Sequence, residues 1–462
     1  MSPVFRSAKV PIWALAAMTT FLGGGSAFAA PADDLTAIRD AISNLRQDYE
    51  AKIKDLEDRL QKAQADAEAA KASAETAAAA AADAQKTAVA AAAIPPPSEP
   101  QVPRAPTSNN AFNPGIAAVL NGFFVGASRD PANIRIPGFA LGDEAQGPQR
   151  GFSLGESEIN LTANIDPYFL GWLNLSLGND NSVAVEEAYI QTTSIGEGIT
   201  LRAGRMFSGI AYLNERHAHD WSFSDASLPY RAFLNNQYGD DGIQARWLAP
   251  ANIFLEFGAE WFRGASFPAG GSANHGKGTM TAFVHAGDDI NDSSSWLAGL
   301  SFLNARSDQR DTNGDLFSGT DNLGIASLVY KWAPGGNPTV QNLILSGEYF
   351  FGRESGSFNG IRLDSNRDGW YLQGVYQFMP RWSFGLRYAQ LGTGNIGAGF
   401  AGSVLDDLGH TPRAETALLE FDTSEFGRLR LQYSHDDSDV KPLDEILLQY
   451  TVIYGPHPAH RY

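Results

Sequence analysis

From about residue 119 to the carboxy terminus, apolar and polar residues alternate. In the segment GFSLGESEINLTANIDPYFLGWLNLSLG, residues 151–178, Glu156, Glu158, Asn160, Thr162 and Asn164 take every second position. Ser157, Ile159, Leu161, Ala163 and Ile165 fill the gaps, and all but the serine are apolar. A period of two belongs to extended backbone, which sends successive side chains to opposite faces. Asp166-Pro167 breaks the run, since proline cannot donate to a ladder and aspartate favours turns. Leu173, Leu175 and Leu177 then alternate with Asn174, Ser176 and Gly178. The stretch predicts a β-hairpin with a very short turn.

The rest of the region repeats this unit. Counting by period and by turn residues predicts sixteen strands, at 119–128, 152–165, 168–178, 183–193, 198–207, 241–249, 252–264, 278–287, 295–306, 321–333, 338–353, 369–379, 381–391, 412–421, 426–435 and 443–454. Tight connections at 166–167, 194–197, 250–251, 333–337, 380 and 422–425 alternate with longer ones at 129–151, 208–240, 265–277, 307–320, 354–368, 392–411 and 436–442. Two connections break this rule: 179–182 is short on the long side, and 287–294 is longer on the short side. Short turns at one end and long loops at the other fit a transmembrane barrel. A soluble β-sandwich would alternate too, but its strands are usually about 5–6 residues. Aromatics near strand ends, namely Tyr168, Trp172, Trp247, Trp261, Trp332, Trp382 and Tyr454, suit girdles at two membrane interfaces. The predicted fold class is an all-β transmembrane barrel of about 16 antiparallel strands, with an amino-terminal α-helical coiled-coil stalk.

The phase of the alternation also predicts the lumen. Strand 252–264 would turn Ile253, Leu255, Phe257, Ala259 and Trp261 outward and Glu256 and Glu260 inward. Glu156, Glu158, Asn160 and Arg202 are inward by the same logic. Charges on the lipid face cost about 2–4 kcal/mol at the midplane, so the polar set should line water. Sixteen strands leave room for an aqueous channel.

The amino-terminal quarter is different. Arg6 and Lys9 precede the apolar run 12–22, and Ala27-Phe28-Ala29 offers small residues before a cut after Ala29. Residues 1–29 read as a secretory signal peptide rather than a membrane anchor. Over 31–93, Leu35, Ile38, Ile42, Leu45 and Tyr49 form a heptad seam, which restarts after a four-residue jump at Ile53, Leu56 and Leu60 and fades into alanine. That is a coiled coil with a stutter. The Pro-rich linker 94–111 ends it, and 112–462 is the barrel.

Charge narrows the function. The 462-residue chain has a net charge of −18 and no cysteine, so nucleic acid is excluded as a partner and disulfides are unavailable. No nucleophile elbow, P-loop or metalloprotease helix occurs, and the chain reads as non-enzymatic, with no cofactor. The connection 208–240 is the longest and holds Tyr212, Trp221, Phe223, Tyr230 and Phe233, too many rings to float in water. Folded inward, it would put Glu215, Arg216, His217, His219, Asp220, Asp225 and Arg231 at the pore constriction.

The motifs GFSLGESEINLTANIDPYF, VEEAYIQTT and LRAGRMFSGIAYLN, with sixteen strands and an inward third loop, resemble the phosphate-selective porin O/P-like family of Gram-negative outer membranes. The resemblance covers roughly 119–454. It implies a homotrimer of barrels in outer-membrane lipid and lipopolysaccharide, with each pore narrowed by its third loop. A periplasmic stalk that trimerises, or that reaches peptidoglycan, would fit beside it. Phosphate selectivity is not implied for this chain. Its barrel region has only Lys277, Lys331 and Lys441, its loop 208–240 has none, and its inward charges are mostly carboxylates. The expectation is a porin for passive diffusion of small hydrophilic solutes, cation-preferring or weakly selective. The alternatives are a channel for divalent metals or metal complexes and an envelope-tethering protein. A TonB-dependent receptor lacks its amino-terminal plug here, and an adhesin anchor would build one barrel from three chains.

His217, His219 and Asp220 are weak candidates for metal binding, as are His457 and His460, while polar loop histidines are the blander reading. Residues 364–369 (DSNRDG) open like a calcium loop but have Val375 where the closing glutamate belongs. That segment and 311–315 read as outer-loop turns.

Overall fold

The computed structural model describes residues 115–455 except 180, 277, 395 and 397, together with Lys54. The signal peptide, the heptad seam, the Pro-rich linker and the pair His457 and His460 lie outside the described residues. Among the described residues, seventeen strands form one antiparallel sheet: β1 (Gly115–Ala127), β2 (Gly151–Leu154), β3 (Ser157–Asn164), β4 (Phe169–Leu177), β5 (Val183–Thr192), β6 (Ile199–Phe207), β7 (Gly239–Leu248), β8 (Phe254–Phe262), β9 (Thr279–Asn291), β10 (Ser294–Thr312), β11 (Asp315–Trp332), β12 (Asn342–Phe358), β13 (Ile361–Met379), β14 (Trp382–Thr393), β15 (Arg413–Ser424), β16 (Gly427–Asp437) and β17 (Leu443–Tyr454).

The ladder closes on itself. β1 pairs with β17 from Ala118 opposite Tyr454 to Ala127 opposite Glu445. β2 and β3 both pair with β1, and together they are one stave broken by a bulge. Gly122 faces Leu154 while Val119 faces Glu158, so four steps on one side meet three on the other. Gly155 sits at that break, where a Cβ would run into the Phe123 ring. The result is a closed barrel of sixteen staves, and every expected strand is present. Closure removes the sheet edges that would otherwise seek partners.

The two faces follow the alternation. Leu300, Leu328, Leu372, Leu386, Leu431 and Leu448 stand exposed on the outside. Asn160, Glu260, Glu348, Gln373, Arg387 and Arg430 are buried on the inside. Tyr168, Trp247 and Tyr454 are exposed near the short-turn end, and Trp261 near the other.

Five expectations change. Ser157, expected on the oily side, turns inward at the bulge, where its hydroxyl accepts from the Asn121 amide at 3.1 Å. Trp172 is not part of the outer girdle. It pairs in register with the inward Thr162, lines the lumen and stacks on Tyr189 at 6.1 Å. The connection expected at 287–294 shrinks to two residues, because β9 runs on to Asn291. The long connections expected at 307–320 and 354–368 are mostly strand.

Those last two are hairpins, turning at Asn313-Gly314 and Asn359-Gly360, all four with positive φ. Asn-Gly is the pair that a two-residue hairpin turn favours. β10 to β13 run 17 to 19 residues each, well past the reach of an apolar band. At their far ends the outer face turns polar, with Arg353, Arg362 and Asp364 exposed, while Phe317, Phe358 and Leu363 pack inward with Phe400, and this inverted pattern is why they resembled loops. Residues 311–315 hold a turn as expected. Residues 364–369 do not: they lie inside β13, and Asp364 accepts from Arg353 at 3.1 Å rather than opening a calcium loop.

Candidate pore constriction

The segment between β6 and β7, residues 208–238, folds into the barrel and makes its apolar core. Asn214 closes the neck: its amide donates to the Ser208 and Tyr238 carbonyls, both at 2.8 Å, and its Oδ1 accepts from the Tyr238 N–H at 2.7 Å. Beyond the neck lies α1 (Leu228–Leu234), a short α-helix. Pro229 stands in its first turn and Asn235 ends it in a left-handed conformation, both usual at those positions. Phe233 stacks on Phe350 of β12, and Tyr230 meets the same ring edge-on.

The wall is shaped for this helix. A Cβ on Gly352 would lie 2.8 Å from the Phe233 ring, and one on Gly369 would press on Leu391, Phe233 and Pro229 at 2.5–3.4 Å. Gly369→Val should therefore unseat α1 at a cost of about 1–3 kcal/mol while the ladder persists. The check is single-channel recording, which should give a larger, noisier current. A current like that of the parent protein would refute the seating.

Polar anchors fix the rest of the segment to both sides of the barrel. Buried Glu260 of β8 accepts from the Gly209 N–H at 2.9 Å and also from Ser208 and Thr281. Buried Glu348 of β12 accepts from Tyr230 and Tyr371 hydroxyls at 2.6 and 2.7 Å and from the Tyr212 N–H at 2.7 Å. Across the lumen, Arg387 of β14 holds Asp225 at 2.7 Å. Arg430 of β16 donates to the Trp221 carbonyl at 3.0 Å, and Arg428 donates to that of His219. The segment is a strap across the barrel rather than a loose flap.

The strap separates two vestibules, of about 950 Å³ toward the long loops and about 840 Å³ toward the short turns. Nine carboxylates and four arginines line the first. Seven carboxylates and three arginines line the second. Lys331 faces inward opposite Ser295 of the second vestibule, near Arg216, and adds one cation to that side.

The expected constriction residues divide between these spaces. Glu215, Arg216, His217 and Asp220 line the short-turn vestibule, while Asp225 and Arg231 line the other. Glu215 pairs with Arg246 and lies 3.5 Å from Arg202. Arg216 sits over the Tyr212 ring at 4.4 Å. Arg231 is buried against Asp436 at 2.9 Å. His219 is 3% exposed and faces the wall. Of the expected lining, Glu158, Asn160, Arg202 and Glu256 face the short-turn vestibule and Glu156 the other. Glu260 lines neither, being spent on the neck of the strap.

Sequence reasoning missed Glu186 and Glu187. Strict alternation sends one of two consecutive residues to the outside. In β5 the register with β4 skips a step: Asn174 faces Glu187 and Leu175 faces Val185, so Glu186 is an extra residue. The bulge turns both glutamates inward, as bulges commonly re-aim side chains. It also parts β5 from β6, whose pairing stops at Ala188 opposite Arg205. Side chains bridge the opening: Glu187 accepts from the Phe207 N–H at 3.2 Å, and Arg205 donates to the Val185 carbonyl at 3.1 Å. The signal was available, because a Glu-Glu pair within an alternating strand puts a charge on the apolar face unless the strand bulges.

The glutamates meet His217. Its Nδ1 lies 3.0 Å from Glu186 and 3.3 Å from Glu158, and its Nε2 lies 3.2 Å from Glu187. His219 Nδ1 is 2.7 Å from the other oxygen of Glu158, and His219 Nε2 is 3.2 Å from Asp220. Glu186 lines one vestibule and Glu187 the other, as do Ala218 and His217, so the partition runs through this cluster. The expected trio His217, His219 and Asp220 is not itself a ligand set. His217 instead converges with Glu158 and Glu186.

No family model matches the chain. An uncharacterized protein of Aquifex aeolicus is 28% identical over 391 residues, covering 77% of this chain and 81% of that one. The solved structures it is similar to include an anion-selective porin from Comamonas acidovorans, with 11% identity, TM-score 0.49, and 74% of this chain and 99% of that one covered. They also include Salmonella typhi OmpF in complex with daunomycin, with 13% identity, TM-score 0.49, and 75% and 99% covered. Pseudomonas putida OprB at high pH has 11% identity, TM-score 0.48, and 74% and 94% covered. The barrel is established by its own closed ladder rather than by these likenesses.

Proposed function

We propose that the protein is an outer-membrane porin, a water-filled channel through which small hydrophilic solutes diffuse passively, with cations preferred. The observation that supports this most is the carboxylate excess on both sides of the strap. A low-dielectric wall lined with one sign of charge concentrates counter-ions and repels co-ions. The apolar outer face and the terminal aromatic residues support insertion in a bilayer, with the short turns toward the periplasm. A homotrimer with a coiled-coil stalk at 31–93, in the periplasm and within reach of peptidoglycan, is part of the same reading and rests on the heptad seam alone.

The test is a zero-current potential across a planar bilayer under a KCl gradient. Purified protein should give the sign of potassium preference. A chloride-preferring sign would defeat the charge argument, and no conductance at all would defeat the channel.

A further inference from the structure

We propose that Glu158, Glu186, His217 and Asn174 form a binding site for a first-row divalent cation of the zinc type, set in the partition between the two vestibules. Glu158 and Glu186 each offer one oxygen, and His217 offers Nδ1. These three atoms lie within 4.8 Å of one another. They come from three elements, β3, β5 and the strap, so a cation held by all three would tie the strap to the wall.

Asn174 is the independent sign. It is 0% exposed, and its Oδ1 is enclosed without a hydrogen-bond partner. Its Nδ2 touches all three donors, at 2.7 Å from Glu158, 2.6 Å from Glu186 and 3.2 Å from His217. Half a turn about the last side-chain torsion exchanges nitrogen and oxygen, an assignment made from hydrogen bonding in any case. The orphaned oxygen then lies among two carboxylates and an imidazole nitrogen. Without a cation that position is repulsive, and with one it supplies a fourth donor. The separations of 2.6–3.3 Å approach the spacing of neighbouring ligands on one ion. Metal–ligand bonds of about 2.0–2.1 Å in a tetrahedron put adjacent donors about 3.3 Å apart.

The surroundings hold these donors as the outer partners of a metal site do. Glu187 takes the other ring nitrogen of His217, which leaves Nδ1 facing the cluster. His219 takes the other oxygen of Glu158. A mixed set of imidazole and oxygen donors suits zinc and its neighbours, whereas calcium and magnesium prefer oxygen alone. Occupancy would neutralise two carboxylates at the partition between the vestibules. Binding does not rest on the porin reading, although its effect on current does.

The experiment is calorimetric titration of Zn²⁺ into the full-length protein in detergent, with folding checked by the heat-dependent gel mobility of barrels. One saturable equivalent per chain is expected. Glu186→Gln and His217→Ala should each weaken binding ~10-fold or more, and Glu187→Gln, which alters the partner of His217 Nε2, ~10–100-fold, while the new amide oxygen still accepts from the Phe207 N–H. Asn174→Asp, which supplies an oxygen in either orientation, should tighten it. Excess Ca²⁺ should leave the isotherm in place. Absence of saturable binding, survival of binding in the folded double variant Glu186→Gln/His217→Ala, weaker binding by Asn174→Asp, or equal competition by Ca²⁺ would each overturn the site. Zinc should also lower potassium current. A protein that binds zinc and does not conduct loses the channel reading and keeps the site.

Discussion

Excising residues 210–236 and bridging the gap with a short Gly-Ser turn should leave a folded barrel whose single-channel conductance is roughly three-fold or more above the parent's. A sixteen-stave ring encloses an open interior by its own geometry, and the strap is what fills it. The staves make their hydrogen bonds with one another, so the ladder survives the excision. Cation preference should fall with it, because Glu215, Asp220 and Asp225 leave the lumen against Arg216 and Arg231, and Arg246 and Arg387 lose their carboxylate partners. Recording both quantities from one preparation is the check. Conductance unchanged by the excision would mean that ions pass elsewhere than around the strap.

Glu348→Leu should release the strap without melting the barrel. The carboxylate satisfies two tyrosine hydroxyls and one backbone N–H, all within 2.7 Å. A leucine leaves three donors with nothing to bond, and an orphaned buried donor costs about 1–3 kcal/mol. The loss is therefore about 3 kcal/mol or more, concentrated on the strap rather than on the ladder. Glu348→Gln keeps an acceptor and should cost much less. Limited proteolysis reads the difference: the leucine variant should be cut within 208–238 while the rest of the ring resists. Equal resistance in all three proteins would show that this carboxylate holds nothing in place.

Much of the barrel was legible from period and punctuation. The sixteen strands follow because an apolar outer face and a polar inner face impose the alternation directly on the sequence. The inward positions of Glu158, Asn160 and Arg202 come from the same rule. The rule fails where the ladder itself is irregular. Glu186 and Glu187 face the same way only because β5 bulges, and Ser157 turns inward only at the break beside Gly155. It also fails at the far ends of β10 to β13, where the outer face turns polar and Phe317, Phe358 and Leu363 pack inward, so the apolar phase inverts. Trp172 misled because a large ring near a strand end is equally at home stacked on Tyr189 inside. The anchors of the strap were out of reach altogether. That Arg387 would hold Asp225, or Glu348 the hydroxyl of Tyr230, depends on distances across a lumen that no local pattern encodes.

The strap's moorings also set an order of events during assembly. Its ends emerge from β6 and β7, yet Glu348, Arg387, Arg428 and Arg430 belong to staves made much later in the chain. Until β12, β14 and β16 have taken their places, Phe223, Tyr230 and Phe233 have no wall to lie on. A nascent chain therefore carries an apolar segment with nowhere to go for more than a hundred residues of further synthesis. Whatever attends the chain during assembly has to shield that segment as well as the strands. The final zipping of first stave to last, and the seating of the segment within, then complete one another.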